Sequence, residues 1–233
     1  MNTASLPNAQ AVFVHHDLEQ LSAAVAQRIG NLLVQAIAIR GTFRIALAGG
    51  ETPRRCYENL RHHDLDWPHV EVYFCDERCL PRGDAGRNDS MAHETLLRYI
   101  AIPPGNIHAI PAEHGAQAAA AEYAALLEHA PPFDLVLLGM GEDGHTASLF
   151  PDNPATEQAG IVVPVFGAPK PPPERVSIGM GTLNAARVKL FLVAGAGKRE
   201  ALWRIAHGVA LPAARVTGAE WHVDRAAWPG GNN

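Results

Sequence analysis

The sequence predicts an α/β fold: a single three-layer domain, residues 1–233, in which a mostly parallel sheet carries helices on both faces. Three observations predict it. Short apolar runs alternate along the chain with stretches of helical period. Glycine turns follow several of those runs directly. No Gly/Ser-rich or charge-rich stretch separates two halves, and the proline cluster at 171–173 is too short for a linker.

The elements follow in order. Asp17 and Gln20 read as an N-cap with its third-position partner, and Leu18, Leu21, Val25, Ile29, Leu32, Leu33, Ala36 and Ile37 recur at helical spacing until Arg40 and Gly41 end the helix. A buried strand over 43–48 stops at a glycine pair. Thr52 as N-cap and Pro53 in the first turn then start a helix that runs to Leu60. A strand over 70–75, a polar loop over 76–88, helices over 90–99 and 116–129, and a buried strand over 133–138 come next. Beyond them the pattern predicts strands over 161–165, 176–178 and 188–193, a helix over 198–207, a last edge strand over 220–223, and a tail that frays from Pro229.

Composition narrows the function. A 47% hydrophobic, 18% charged chain is that of an ordinary globular protein with a substantial core. Its net charge of -5 supplies no basic face for nucleic acid, so any anion site must be built locally. Cys56, Cys75 and Cys79 form an odd count without a framework, and the sequence carries neither a signal-peptide pattern nor about 18 uninterrupted apolar residues. The expectation is a cytoplasmic protein without membrane or nucleic-acid partners, a monomer or small homo-oligomer.

In a parallel sheet, ligands bind beyond the carboxyl ends of the strands, so the loops after Ala48, Cys75, Leu138 and Val193 should meet at one edge. Gly49, Gly50 and Thr52 join a strand to a helix start and outline a phosphate cradle, although a tight turn would require the same glycines. Glu51 in that turn must point its charge away from a bound anion. Asp76 and Arg78 follow the next strand; Arg78 can pair with a phosphate or carboxylate, or serve only in a structural salt bridge.

The stretch from Gly139 to His145 delivers Asp143 and His145, two residues apart, from a glycine turn. As G-x-G-x-x-G it fits a dinucleotide poorly. Glu142 and Asp143 would face the pyrophosphate, Pro151 cuts the next helix short, and no acidic residue ends the following strand. The other reading places His145 at the mouth of the site, where an imidazole accepts a proton from water near neutral pH. Lys198 follows Gly195 and Gly197 in a loop that lacks Walker A spacing and suits a single phosphate. Lys170 and Arg175 bracket the proline cluster, where they could close over an anionic substrate. Cys75 and Cys79 find no second pair to complete a zinc site, and no metal site is expected.

Taken in order, residues 48–53, 75–81, 87–88, 138–151, 170–177 and 195–198 resemble the 6-phosphogluconolactonase branch of the glucosamine-6-phosphate isomerase superfamily over essentially the whole chain. The Asp-Gly-His-Thr-Ala-Ser-Leu-Phe-Pro stretch at 143–151 is the specific element. The resemblance implies a Rossmann-like sheet and hydrolysis of a sugar-phosphate lactone without a cofactor. It also implies His145 as general base, Asp143 as its orienting partner, and Gly50, Thr52, Arg78, Lys198 and Arg175 as substrate or phosphate contacts. The chain departs from the common pattern at Glu51, Arg87 and Cys79.

Two rivals share these features. The sister isomerase-deaminase activity needs a further carboxylate a few positions after the histidine, where Ser148, Leu149 and Phe150 stand instead. A non-catalytic sugar-phosphate sensor would keep the anion site and lose the chemistry; the Asp143 and His145 pair argues against it.

Overall fold

The structure is a computed structural model that describes residues 6–230. Its principal sheet has six parallel strands: β1 (Ala9–His15), β2 (Phe43–Leu47), β3 (Val70–Phe74), β5 (Leu135–Gly139), β8 (Val188–Val193) and β9 (Ala219–Asp224), in the order β1-β9-β8-β5-β2-β3. Every residue of β2 and β9 is buried, as happens when both faces of a sheet are covered. Three short strands, β4 (Asp76–Arg78), β6 (Val162–Val165) and β7 (Arg175–Ile178), form a separate antiparallel sheet in the order β4-β7-β6.

The helices α1 (Leu18–Arg40), α2 (Glu51–Leu60), α3 (Asn88–Thr95), α4 (Ala116–Leu127), α5 (Met180–Ala185) and α6 (Arg199–Ala206) fill the connections. Asp17 caps α1 by accepting from the Gln20 N–H at 2.9 Å, and the stripe of Leu21, Val25, Ile29, Leu33 and Ala36 is buried. By length and composition α1 could also cross a bilayer, but here that stripe packs against α2 and the sheet.

Several sequence expectations need correction. The strand over 220–223 is not an edge, because β1, which the sequence reading passes over, pairs outside it. β1 has only partly buried and exposed residues, and its apolar run over 11–14 is short. The loop over 76–88 contains β4, whose polar residues pair with β7. The short α5 stands where the sequence predicts no element. Thr52 is not an N-cap. The helix starts at Glu51 behind Gly50, whose φ of 104° favours glycine, and no side chain caps that end. The helix expected over 90–99 begins earlier, at Asn88, and ends in a 3₁₀ turn. Of the tail expected to fray from Pro229, residues 231–233 lie outside the described residues.

Because the principal strands are parallel, the turns after β2, β3, β5 and β8 leave the sheet at the same edge. The small sheet adds Arg78 and Arg175 there.

Candidate active site

A cavity of about 300 Å³ lies at that edge, walled by Gly49, Gly50, Asp76, Arg78, His145, Lys170, Arg175 and Lys198, together with Ala48, Asn88, Gly139, Met140, Gly141, Ala147, Phe150 and Pro171. Four cations face it with one carboxylate, Asp76. A chain of net charge -5 thus concentrates positive charge where strand ends converge, as a locally built anion site requires.

The β5 loop sets the imidazole. The Gly141 N–H donates to the His145 carbonyl at 2.8 Å, the Gly144 N–H donates to the Gly141 carbonyl at 3.0 Å, and the Thr146 hydroxyl donates to the Gly139 carbonyl at 2.9 Å. His145 and Asp143 sit against the Gly141 backbone so closely that a Cβ there would lie 2.0 Å from Nδ1 and 2.4 Å from Oδ1. Residue 141 must therefore be glycine for the pair to form.

His145 Nδ1 lies 2.5 Å from Asp143 Oδ1, and the His145 backbone N–H donates to the same oxygen at 3.1 Å. A carboxylate at that distance calls for a proton on Nδ1, which leaves the Nε2 lone pair as the basic position. Partial burial works against the Asp143 charge, yet the His145 hydrogen bond, its charge and backbone N–H groups outweigh it and hold the carboxyl at about 2. The Phe150 ring packs against the imidazole at a centroid distance of 4.5 Å, and the His145 side chain keeps 18% of its surface exposed, enough for water to reach it.

Also on the cavity wall, Arg78 donates through Nη1 to the Gly86 carbonyl at 2.6 Å, while its buried Nε has no partner among the described residues. Arg175 is buried within β7. Its guanidinium donates to the carbonyls of Lys170, Pro171 and Pro172 and lies 5.5 Å above the Phe150 ring. This corrects the picture of Arg175 as a loop cation that closes over a ligand, because it is the fixed anchor on which the 170–172 loop rests. Burial lowers its pKa, with Asp76 opposing and Arg78 adding to the effect. Burial likewise lowers that of Lys198, against the pull of Glu142.

Three further expectations change. Asp76 borders the cavity but spends its oxygens on protein: Oδ2 accepts from the Ser148 hydroxyl at 2.7 Å and Oδ1 from Asn88 Nδ2 at 3.2 Å. It braces the β5 loop against β4. The Gly195 N–H is bound to both Asp224 oxygens at 3.1 Å, so it is not available to a ligand. Thr52 lies inside α2 and is absent from the cavity wall, whereas Glu51 turns its 86% exposed carboxylate outward toward Arg54.

Asn88, Met140, Ala147 and Phe150 line the cavity without having been assigned roles from the sequence. Asn88 packs so tightly on Gly49 that a Cβ on that glycine would meet its Oδ1 at 1.9 Å. That contact is long-range, so no local spacing signals it. Ala147, at φ 47°, holds a left-handed conformation that costs roughly 1 kcal/mol, with Thr146 and Ser148 tied down on either side.

A thiol nucleophile fits poorly. Burial pushes Cys79 up to about 11, and Cys75 is fully buried with its Sγ donating to the Leu137 carbonyl. Among the described residues no cluster of three or more His, Cys, Asp or Glu side chains is placed to hold a metal.

A family model described as glucosamine-6-phosphate isomerases/6-phosphogluconolactonase matches residues 16–228. A 6-phosphogluconolactonase of Streptomyces coelicolor is 36% identical over 92% of each chain. One of Synechocystis is 40% identical over 74% of this chain and 75% of its own. The crystal structure of 6-phosphogluconolactonase from Thermotoga maritima superposes with a TM-score of 0.86 at 28% identity, covering 92% of this chain and 99% of that one. A monomeric glucosamine-6-phosphate deaminase, 20% identical with a TM-score of 0.82 over 93% of this chain and 98% of its own, shares the fold.

Proposed function

The chain belongs to the glucosamine-6-phosphate isomerase/6-phosphogluconolactonase family, and from that membership we propose that it is a lactone hydrolase. It converts 6-phospho-D-glucono-1,5-lactone to 6-phospho-D-gluconate in the oxidative pentose phosphate pathway, as a single cytoplasmic catalytic domain. The substrate is a small sugar-phosphate lactone, the reaction needs no cofactor, and the protein acts as a monomer or small homo-oligomer without nucleic-acid or membrane partners.

The observation that carries this reading is the imidazole of His145, held by Asp143 and bordering a cavity with four cations. Nε2 takes a proton from water as the oxygen attacks the lactone carbonyl. Asp143, ionised throughout, stabilises the imidazolium that forms. The surrounding cations lower the cost of the developing oxyanion. When the tetrahedral intermediate collapses, the ring C–O bond breaks and the imidazolium returns its proton to the departing oxygen, so water is consumed and the free carboxylic acid results. The phosphate, gripped by Arg78 and Lys198, supplies binding energy that positions the distant carbonyl.

The sister deamination is disfavoured at one position in particular. Phe150 packs on the imidazole, and no carboxylate occupies 146–150. The test is lactone hydrolysis at low pH, where spontaneous opening is slow, with and without a chelator, beside ammonia release from glucosamine 6-phosphate. Chelator-insensitive lactone opening with no ammonia is expected. Appreciable ammonia release would reverse the assignment.

A further inference from the structure

Glu77 is fully buried, one residue from the cavity wall, and touches no part of the cavity itself. Its carboxylate is nonetheless engaged on all sides. Oε1 accepts from the backbone N–H of Arg78 and of Asn88, each at 2.8 Å, and Oε2 accepts from that of Asp89 at 2.9 Å. The Arg87 guanidinium stands 3.8 Å away, itself held by Asp89 and Glu113.

These bonds join two elements that no local interaction would join. Asn88 and Asp89 open α3, and the N-cap residue Arg87 offers that helix no side-chain bond. Glu77, from β4, therefore caps α3 from outside it. Arg78 and Asn88 are the residues on either side of this clamp, and both line the cavity. Asn88 in turn seats against Gly49 and donates to Asp76.

Stability alone does not account for such a group. Burial pushes the Glu77 carboxyl up to about 7, with Asp89 adding to the rise and the backbone N–H groups opposing it. A well-packed apolar residue commonly serves stability as well as a buried charge does or better. The Glu77 carboxyl bonds to the backbone of two cavity-wall residues, Arg78 and Asn88, and so bears on their geometry.

We propose that Glu77 is a positioning residue for the substrate's anionic end: it fixes Arg78 and Asn88 at the mutual distance the ligand requires. The proposal rests on the lactonase reading for its kinetic test, but its binding test does not.

Glu77→Gln keeps the shape and replaces one acceptor oxygen by a donor, which must face either the Asp89 N–H or those of Arg78 and Asn88. Steady-state lactone hydrolysis and calorimetric binding of inorganic phosphate are measured on the full chain, with near-UV circular dichroism to verify packing. KM and the phosphate dissociation constant should each rise about tenfold, with kcat within about twofold of the parent, as expected for losing the alignment of one charged contact. A purely structural role would instead lower the folded fraction, reducing kcat with KM unmoved, and that outcome overturns the proposal. So do unchanged KM and phosphate affinity in a folded variant. If Glu77→Gln does not fold, Glu77→Asp keeps the charge beside Arg87 but withdraws the carboxylate by one methylene, and it is judged by the same two constants. A parent protein that binds phosphate but leaves the lactone intact would defeat the lactonase reading, while the phosphate constants of the variants would still decide the role of Glu77.

Discussion

Arg78 of β4 stands directly opposite Arg175 of β7 in the antiparallel register, and both side chains border the same cavity. Like charges so paired repel, typically by a few tenths of a kcal/mol up to about 1 kcal/mol. The two guanidiniums are not equivalent. Arg175 is committed to the carbonyls of 170–172, whereas Arg78 spends one bond on the Gly86 carbonyl and has a buried Nε without a partner among the described residues. Under the lactonase reading proposed above, the ligand contact therefore falls to Arg78. Arg78→Met should raise KM for the lactone by about 10- to 100-fold, the cost of a lost charge-assisted hydrogen bond, with a smaller change in kcat. Steady-state kinetics reads the split, and an unchanged KM would remove Arg78 from the anion site.

Gly141 offers a different probe, since the proposed base His145 and its partner Asp143 both pack against its backbone. Gly141→Ala places a methyl 2.0 Å from His145 Nδ1, so the imidazole must move. The expected result is a fall in kcat of at least about 100-fold, because a displaced base loses its attack geometry. Calorimetric binding of 6-phosphogluconate should hold within about threefold, well under the 1.4 kcal/mol that a tenfold change represents. Loss of binding and rate together would indicate a collapsed loop instead.

Asp143 gives a pH prediction. Its carboxyl, held at about 2, stays ionised across the working range, so a plot of log kcat/KM against pH should show no break from this carboxylate down to pH about 3. Asp143→Asn should lower kcat by about 100-fold or more through the wrong tautomer. The linkage to folding has a definite sign. A depressed carboxylate pKa stabilises the fold above the unfolded value near 3.8, and that contribution is lost as pH falls toward 2.

Far from the site, His222 gives a stability prediction. Burial, reinforced by neighbouring His15, lowers it to about 4, so the folded state holds it neutral. The unfolded chain binds that proton more readily, so stability is full above pH about 6.5 and declines as pH falls toward 4, by up to about 3 kcal/mol. Urea denaturation of His222→Gln should show a flatter dependence across that window. An identical slope would show that His222 does not control it.

The sequence made some of this visible and hid the rest for identifiable reasons. Buried strands such as β2, β5 and β8 announce themselves by mostly apolar runs that end at a glycine turn, and Asp143 and His145 are near neighbours on one short loop, so their pairing is a local matter. β1 escapes because its burial is only partial, and the interior place of β9 follows from that omission. The residue type of Thr52 suits a cap, whereas the backbone of Gly50 decides where α2 begins. The anchoring of Arg175, the engagement of Asp76 by Ser148, and the contact of Asn88 with Gly49 all depend on tertiary pairings between distant segments. Periodicity and spacing report on neighbours along the chain, and these contacts lie outside their reach.

The most direct test is the rate of lactone opening by His145→Ala, measured at low pH beside calorimetric binding of 6-phosphogluconate. The account predicts a fall in kcat on the order of 1,000-fold with product affinity nearly intact, since only the proton acceptor is removed. A rate equal to that of the parent protein would contradict it.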